Sequence, residues 1–211
     1  PIKETLKKNP NASTQEIANA IGKIPLEFEP AEGFAYSLCY DVLGAVIEKA
    51  ANRKLGEFMK QEIFQPLGMN HTTFDRSEAF VKDMAPQYLI DGVTGKAKEI
   101  PGENPFVFSS NYESGGAGLI STLDDYCKFV SAITNGGTAH SGYRLLTRQS
   151  IEEMCKLRMT DEMLLNYHRY PMWGCHYAFS VRVFFDETKC KTPAPLGCFE
   201  LTGAAGSYAV F

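Results

Sequence analysis

Tyr36 and Ser37 stand directly ahead of an apolar-periodic run, Leu38-Cys39-Tyr40-Asp41-Val42-Leu43-Gly44-Ala45-Val46-Ile47. A tyrosine hydroxyl at the mouth of a buried helix is placed to move a proton in a cleft. A phenol titrates near pH 10, so it is a poor base unless a neighbouring cation stabilises its phenolate. The other role open to Tyr36, one of ten tyrosines, is that of a core-edge residue with its hydroxyl hydrogen-bonded. Ser37 lacks the G-x-S-x-G frame that exposes a nucleophilic serine on a strained strand-to-helix turn. A helix N-cap or first-turn role suits it better.

Other groups could carry chemistry and are set aside on their spacing. Glu113-Ser114-Gly115-Gly116-Ala117-Gly118 is glycine-rich, but no G-K-S/T ending follows, so it is not read as a phosphate cradle. The four histidines, His71, His140, His168 and His176, show no paired spacing and are read as surface or hydrogen-bonded residues, not metal ligands. The six cysteines form no C-x-x-C. Cys39, Cys127 and Cys155 fall inside helical patterns, where a thiol behaves as a small hydrophobe. Cys190 and Cys198 flank a loop that a bridge could staple, whereas reduced thiols suit a cytoplasmic protein, the location the composition slightly favours. The expectation therefore contains no metal and no cofactor.

The elements that must position Tyr36 are legible from periodicity. Ser13 and Glu16 form a capping box ahead of Ile17, Ile21 and Ile24, a stripe that stops near Pro25. After Ser37, Leu38, Val42 and Val46 fall four apart, with Leu43 and Ile47 beside them, which predicts one buried helix face ending near Asn52. A second helix is predicted over residues 55–65, ended by Pro66. Residues 88–90 and 96–100 read as a small hairpin around Asp91-Gly92 and Thr94-Gly95, and residues 109–118 as a loop. Thr122 caps the next helix, with Asp124 and Asp125 in its first turn. Its stripe of Tyr126, Phe129, Val130 and Ile133 closes at Gly136-Gly137. Thr147 caps a shorter helix to about Leu157. Tyr177, Phe179, Val181 and Val183 alternate with Ala178, Ser180 and Arg182 and read as one strand. Residues 199–202 and 207–211 read as two more strands about a turn at 203–206. Helices first and strands last make an α+β pattern.

At 211 residues, with 44% hydrophobic and 22% charged, the chain suits one domain with a sizeable core. A net charge of −4 without a run of five like charges argues against a nucleic-acid surface. No stretch of 18 uncharged apolar residues exists to span a membrane.

Residues 34–50, FAYSLCYDVLGAVIEKA, resemble the second motif of the superfamily of serine β-lactamases (class C), penicillin-binding proteins and family VIII carboxylesterases. There a Tyr-Ser/Ala-x triplet opens a helix and its tyrosine assists a nucleophilic serine. Three further segments fit in the same order: IFQPLGMNHTTF (63–74), GGAGLISTLDDYCKF (115–129) and FELTGAAGSYAVF (199–211). The resemblance implies a β-lactamase/transpeptidase-like fold, an antiparallel sheet with flanking helices and a helical subdomain. It is expected here only in part, with a helical portion of about 1–165 and a sheet portion of about 170–211. It makes Tyr36 the catalytic tyrosine and puts Leu201-Thr202-Gly203 in the place of the third motif, Lys/His-Thr-Gly or Trp-Gly-Gly. By the same analogy the Ala204 N–H becomes an oxyanion-hole donor and Gly203 lets a ligand approach the strand edge. A tight hairpin turn is the other reading of that tripeptide. Residues 115–118 become a turn partly lining the cleft, and Tyr170 and Trp173 wall residues.

Two departures shape the expected activity. No serine has a lysine three residues later, and the chain opens in Pro1-Ile2-Lys3-Glu4, so the Ser-x-x-Lys nucleophile and a C-terminal helix are expected outside residues 1–211. Leu38 and Leu201 stand where an amide-binding Asn and a carboxylate-binding Lys or His occur in relatives. The expected partner is a small-molecule ester or amide, cleaved through an acyl-enzyme with esters preferred. A β-lactamase, a D-alanyl-D-alanine carboxypeptidase and a non-catalytic binding member remain alternatives, and oligomeric state stays open.

Overall fold

The computed structural model describes residues 1–77, 82–100, 104, 106–167, 174–190, 194–203 and 206–211. A helix α1 (Ile2–Lys8), not anticipated from periodicity, precedes α2 (Thr14–Ile21). The capping box of α2 is present: Ser13 Oγ accepts the Glu16 N–H at 3.3 Å and the Glu16 carboxylate accepts the Ser13 N–H at 2.8 Å. Ile17 packs with Ala12 and Tyr112, fully removed from solvent.

Helix α3 (Cys39–Ala51) ends at Asn52 in the left-handed conformation, as the sequence suggests, but its buried face differs from the expected stripe. Asp41, Gly44 and Ala45 face inward, while Leu43 and Val46 are 49% and 56% exposed. Small residues allow the closest approach to neighbours. A Cβ on Gly44 would lie 3.0 Å from the Leu55 side chain, and the Gln15 amide of α2 donates to the Ala45 carbonyl at 2.6 Å.

The next helical stretch continues through Pro66 rather than stopping there. It runs as α4 (Leu55–Met59), a π-helical segment (Lys60–Phe64) and α5 (Gln65–Leu67), and ends at Gly68 with φ 69°. Pro66 brings no N–H for the Glu62 carbonyl four residues back. The Tyr143 hydroxyl donates to that carbonyl at 3.1 Å, which removes the cost of leaving it unpaired.

Helices α6 (Leu123–Thr134) and α7 (Arg148–Cys155) begin where expected, with Thr122 accepting the Asp125 N–H at 3.3 Å and Thr147 the Ser150 N–H at 3.0 Å. In α6 the inward residues are Asp125, Ala132 and Ile133, with Tyr126, Phe129 and Val130 only half-buried. A further helix, α8 (Asp161–Tyr167), was not foreseen.

Strands β1 (Gln87–Ile90) and β2 (Ala97–Ile100) form the expected hairpin. The main sheet is an antiparallel meander, β3 (Cys175–Tyr177), β4 (Arg182–Phe184), β5 (Phe199–Thr202) and β6 (Tyr208–Val210). The single strand expected across residues 177–183 is thus two strands. Ser180 takes φ 67°, and the Ala178 N–H reaches the Val181 carbonyl at 2.8 Å, closing a turn that pairs Tyr177 with Arg182.

Strand alternation divides this sheet into two faces. Val181, Val183 and Phe199 pack with Ile133 and, at the margin, Phe129 and Phe211, which fixes the sheet on α6. Removing each large side chain from water contributes about 1.5–3 kcal/mol. The other face carries Tyr177, Arg182, Glu200, Thr202 and Tyr208, cross-strand neighbours in register. The chain exposes 13996 Å², against about 9,700 Å² for a compact monomer of this length. Among the described residues no helix is long and apolar enough to cross a membrane, and no group of three or more His, Cys, Asp or Glu could hold a metal ion. All six cysteines are thiols, so no bridge joins Cys190 to Cys198.

Candidate active site

The segment before α3 is anchored by aromatic contacts. Phe34 meets Tyr167 edge-on at 5.0 Å and Tyr177 at 5.3 Å, and Tyr36 meets Tyr177 edge-on at 6.3 Å. Tyr36 is 60% exposed at the rim of a cleft of about 390 Å³, within the usual size range of small-molecule pockets. One wall comes from residues 34–37 with Cys39, Tyr40 and Leu43, the other from residues 177–180 in the β3–β4 turn. Ser37 lines the cleft but caps nothing, because Leu38 occupies the N-cap position without a side-chain hydrogen bond. The Tyr40 and Tyr177 hydroxyls are hydrogen-bonded across the cleft.

Beneath this wall lies a buried carboxylate. Asp41 accepts hydrogen bonds from the Tyr112 hydroxyl and, at 2.6 Å, from Ser114 Oγ, which in turn accepts the Ala117 N–H at 3.0 Å. Gly115 then passes so close to α3 that a Cβ there would lie 2.3 Å from the Tyr40 carbonyl oxygen. The neighbouring Glu113 accepts the Gly56 N–H at 2.7 Å and donates its own N–H to Thr14 Oγ1 at 3.1 Å. The loop therefore ties α2, α3 and α4 together under the cleft. It supports the cleft from below, since none of residues 115–118 contributes to its wall.

The polar sheet face supplies charge. Arg182 is buried, donates to Thr202 Oγ1 at 2.6 Å and pairs with Glu200 at 3.1 Å. Glu200 also accepts the Tyr208 hydroxyl, and that bond, with burial second, pushes the Tyr208 phenol up to about 12. Burial raises Tyr36 above the usual phenol range, with Tyr40 and Asp41 adding to the shift and the Arg182 guanidinium opposing it. Burial, with the Tyr40 hydrogen bond, also raises Tyr177.

The structure brings some of the expected residues together and not others. Tyr36 and Thr202 are linked through Tyr177 and Arg182. Leu38 is half-buried and outside the cleft wall. Leu201 follows the alternation of Phe199, which turns it to the face opposite Thr202. Gly203 closes the β5–β6 turn, its N–H donating to the Ser207 carbonyl at 2.8 Å, and a Cβ on it would lie 2.1 Å from Ser207 Oγ. Ala204, Tyr170, Trp173 and His168 lie outside the described residues. Sequence reasoning missed Asp41, Tyr177, Arg182 and Glu200. An acidic residue inside the apolar run 38–47 was the visible signal for Asp41. The others depend on sheet register, which has no local signature.

A tyrosine just ahead of a helix meets an antiparallel sheet here, and comparison with known proteins gives the family. Residues 2–211 match the Beta-lactamase family, and the chain belongs to it. It is 30% identical over 196 residues to Protein Rv1367c of Mycobacterium tuberculosis, covering 90% of this chain and 48% of that protein. It is 29% identical over 204 residues to Esterase EstB of Burkholderia gladioli, covering 90% and 49%. The chain thus spans about half the length of these relatives. Among solved structures, EstCE1, a hydrolase with promiscuous acyltransferase activity, superimposes with a TM-score of 0.76 at 23% identity, over 95% of this chain and 53% of that one. The octameric penicillin-binding protein homologue from Pyrococcus abyssi gives 0.65 at 22%, over 96% and 41%. The expected β-lactamase/transpeptidase-like fold is present, in part.

Proposed function

We propose that this chain forms part of a serine hydrolase that cleaves small-molecule esters or amides through an acyl-enzyme, esters being preferred. The observation that carries the reading is Tyr36 at the rim of an aromatic cleft, against Tyr177 on the sheet face where the buried Arg182 guanidinium holds Thr202. In this reading the nucleophilic serine is contributed by chain outside residues 1–211. Its hydroxyl adds to the carbonyl carbon while its proton passes to the Tyr36 oxygen and the phenolic proton moves on to the amine of the Ser-x-x-Lys lysine, which in this reading also comes from outside residues 1–211. As the tetrahedral adduct collapses, the bond to the leaving oxygen or nitrogen breaks and Tyr36 returns the proton to it. Water then adds to the acyl-enzyme by the same route and releases the acid.

Preference for esters is supported by the apolar part of the cleft wall, where Phe34, Ala35, Leu43 and Phe179 stand beside uncharged hydroxyl-bearing residues, with no charged side chain among the described residues lining it. Such a wall suits an uncharged acyl or alkyl group, at about 25 cal/mol per Å² buried. The Arg182 charge, already engaged by Glu200, is not offered to a substrate carboxylate.

In the full-length protein, Tyr36→Phe is expected to lower kcat roughly a hundredfold with the fold intact. Near-normal turnover would remove Tyr36 from the mechanism. The ratio of kcat/KM on p-nitrophenyl butyrate to that on nitrocefin tests the substrate: equal efficiency would favour a β-lactamase. Leu201, where relatives carry a charged residue, favours a second reading, binding without turnover. Labelling of a serine by a fluorophosphonate probe in the full-length protein would exclude it.

A further inference from the structure

A phenol can serve as a base only where positive charge stabilises its anion. The cation that bears on Tyr36 among the described residues comes from the sheet, on a strand that the sequence motifs do not mark. The register explains how it arrives there. Tyr177 on β3, Arg182 on β4 and Glu200 on β5 are successive cross-strand partners, and Thr202 is two residues beyond Glu200, so all four share one face. Tyr177 touches the ring of Tyr36 edge-on, which sets the Arg182 side chain one strand away from it.

We propose that Arg182 is the positioning cation of this site: clamped by Glu200, it fixes the Thr202 hydroxyl and, from its place beside Tyr177 on the sheet face that meets the Tyr36 ring, stabilises negative charge on the Tyr36 oxygen. The inference rests on the hydrolase reading for its purpose but not for its geometry. A buried arginine–glutamate pair is by itself weak evidence of a stabilising role, since apolar replacements of such pairs are often neutral or better. Here the pair has a further consequence, because its arginine also donates to Thr202 Oγ1 and is the cross-strand neighbour of Tyr177, which lines the cleft. Glu200, itself held by Tyr208, keeps the guanidinium from swinging toward solvent. The groups facing Tyr36 are Tyr40 and Asp41 from α3, Tyr177 from β3 and Arg182 from β4. Of these only Arg182 favours the phenolate. The neighbours on α3 oppose it, so the ionisation of Tyr36 is set by a balance that substitutions on the sheet can tip in either direction.

The test uses the full-length protein and two readouts. One is the titration of Tyr36, read at 295 nm as the difference between the wild type and Tyr36→Phe. The other is the pH profile of kcat/KM on p-nitrophenyl butyrate. Arg182→Met is expected to move both toward higher pH and to lower kcat/KM at neutral pH roughly tenfold or more. Arg182→Lys should recover most of the loss, and Glu200→Gln, which frees the cation from its counter-charge, should move the titration toward lower pH. Because Arg182→Lys and Glu200→Gln keep a cation, they decide the matter if Arg182→Met fails to fold. A Tyr36 titration that ignores all three substitutions would overturn the inference while leaving the hydrolase reading intact. A titration that follows Arg182 in a protein whose turnover survives Tyr36→Phe would support the electrostatic inference and remove Tyr36 from the mechanism instead.

Discussion

Asp41 and Asp125 are both carboxylates buried in the first turn of a helix, yet they are satisfied in different ways. Asp125 accepts the His71 N–H at 2.6 Å, the Thr72 hydroxyl at 3.0 Å and the Lys128 ammonium at 2.9 Å. Burial works against its ionisation, but Lys128, the His71 N–H and the Thr72 hydroxyl together hold its carboxyl below the usual range. Asp41 is held by two side-chain hydroxyls, from Tyr112 and Ser114. The first arrangement is a charge-compensated joint between the segment around residue 71 and α6. The second draws a loop under the cleft and leaves its negative charge acting on Tyr36. A cation compensates the Asp125 carboxylate, whereas among the described residues the side-chain hydrogen bonds to Asp41 come from hydroxyls.

The contrast can be broken by substitution. Asp125→Ala should cost most, about 3 kcal/mol in denaturant unfolding, because it leaves the His71 N–H and the Thr72 hydroxyl without this acceptor and also removes the Lys128 contact. Asp41→Ala should cost less, about 1–3 kcal/mol, the penalty of unsatisfied neutral donors. Equal losses for the two would end the distinction. Gly115→Ala should cost about 1–3 kcal/mol by forcing the loop away from the Tyr40 carbonyl. It should also lower turnover, whereas a loss of stability without any change in activity would detach the loop from the site.

Acid sharpens the comparison further. The Asp125 carboxyl is lowered on folding, so its contribution to stability is present above the unfolded carboxylate value, about 3.9, and fades as pH falls through the lower folded value. Unfolding midpoints measured from neutral pH down to about 2 should therefore fall less steeply in Asp125→Asn than in the wild type. A parallel fall in both would place the acid sensitivity elsewhere. Smallest of all, Lys128→Met should cost about 0.2–1 kcal/mol, since the lysine side chain is 44% exposed and partly screened.

What was legible in the sequence follows the range of the interaction that decides it. Caps at Ser13, Thr122 and Thr147 and the turn at Asp91 depend on groups a few residues apart, and all were readable. The face buried by α3 was not, because Gly44, Ala45 and Asp41 are chosen by partners on α2, α4 and the 112–118 loop. The break at Ser180 was hidden by an alternation that continues through the turn. Helices α1 and α8 are short and carry little periodicity. At the site, Tyr36 could be identified through its flanking motif. Arg182 looked like an outward residue of a strand, and only the sheet register reveals its contacts with Glu200 and Thr202.

The wide turn at Lys60–Phe64 constrains how this region can vary in length. Each helical residue turns the chain by about 100°. A π-turn closes one residue later than an α-turn and so absorbs one extra residue. Deleting one there would restore a regular α-helical repeat with Phe64, Leu67 and Met69 still facing Ala132 and Ala139, whereas deleting two would turn that face away. Deleting two would also carry the Glu62 carbonyl away from Tyr143. Exchanges among exposed residues of this stretch, such as Lys60, Gln61 and Glu62, leave that phase untouched. Family sequences should therefore differ freely in residue type across these positions and tolerate one residue fewer, but not two.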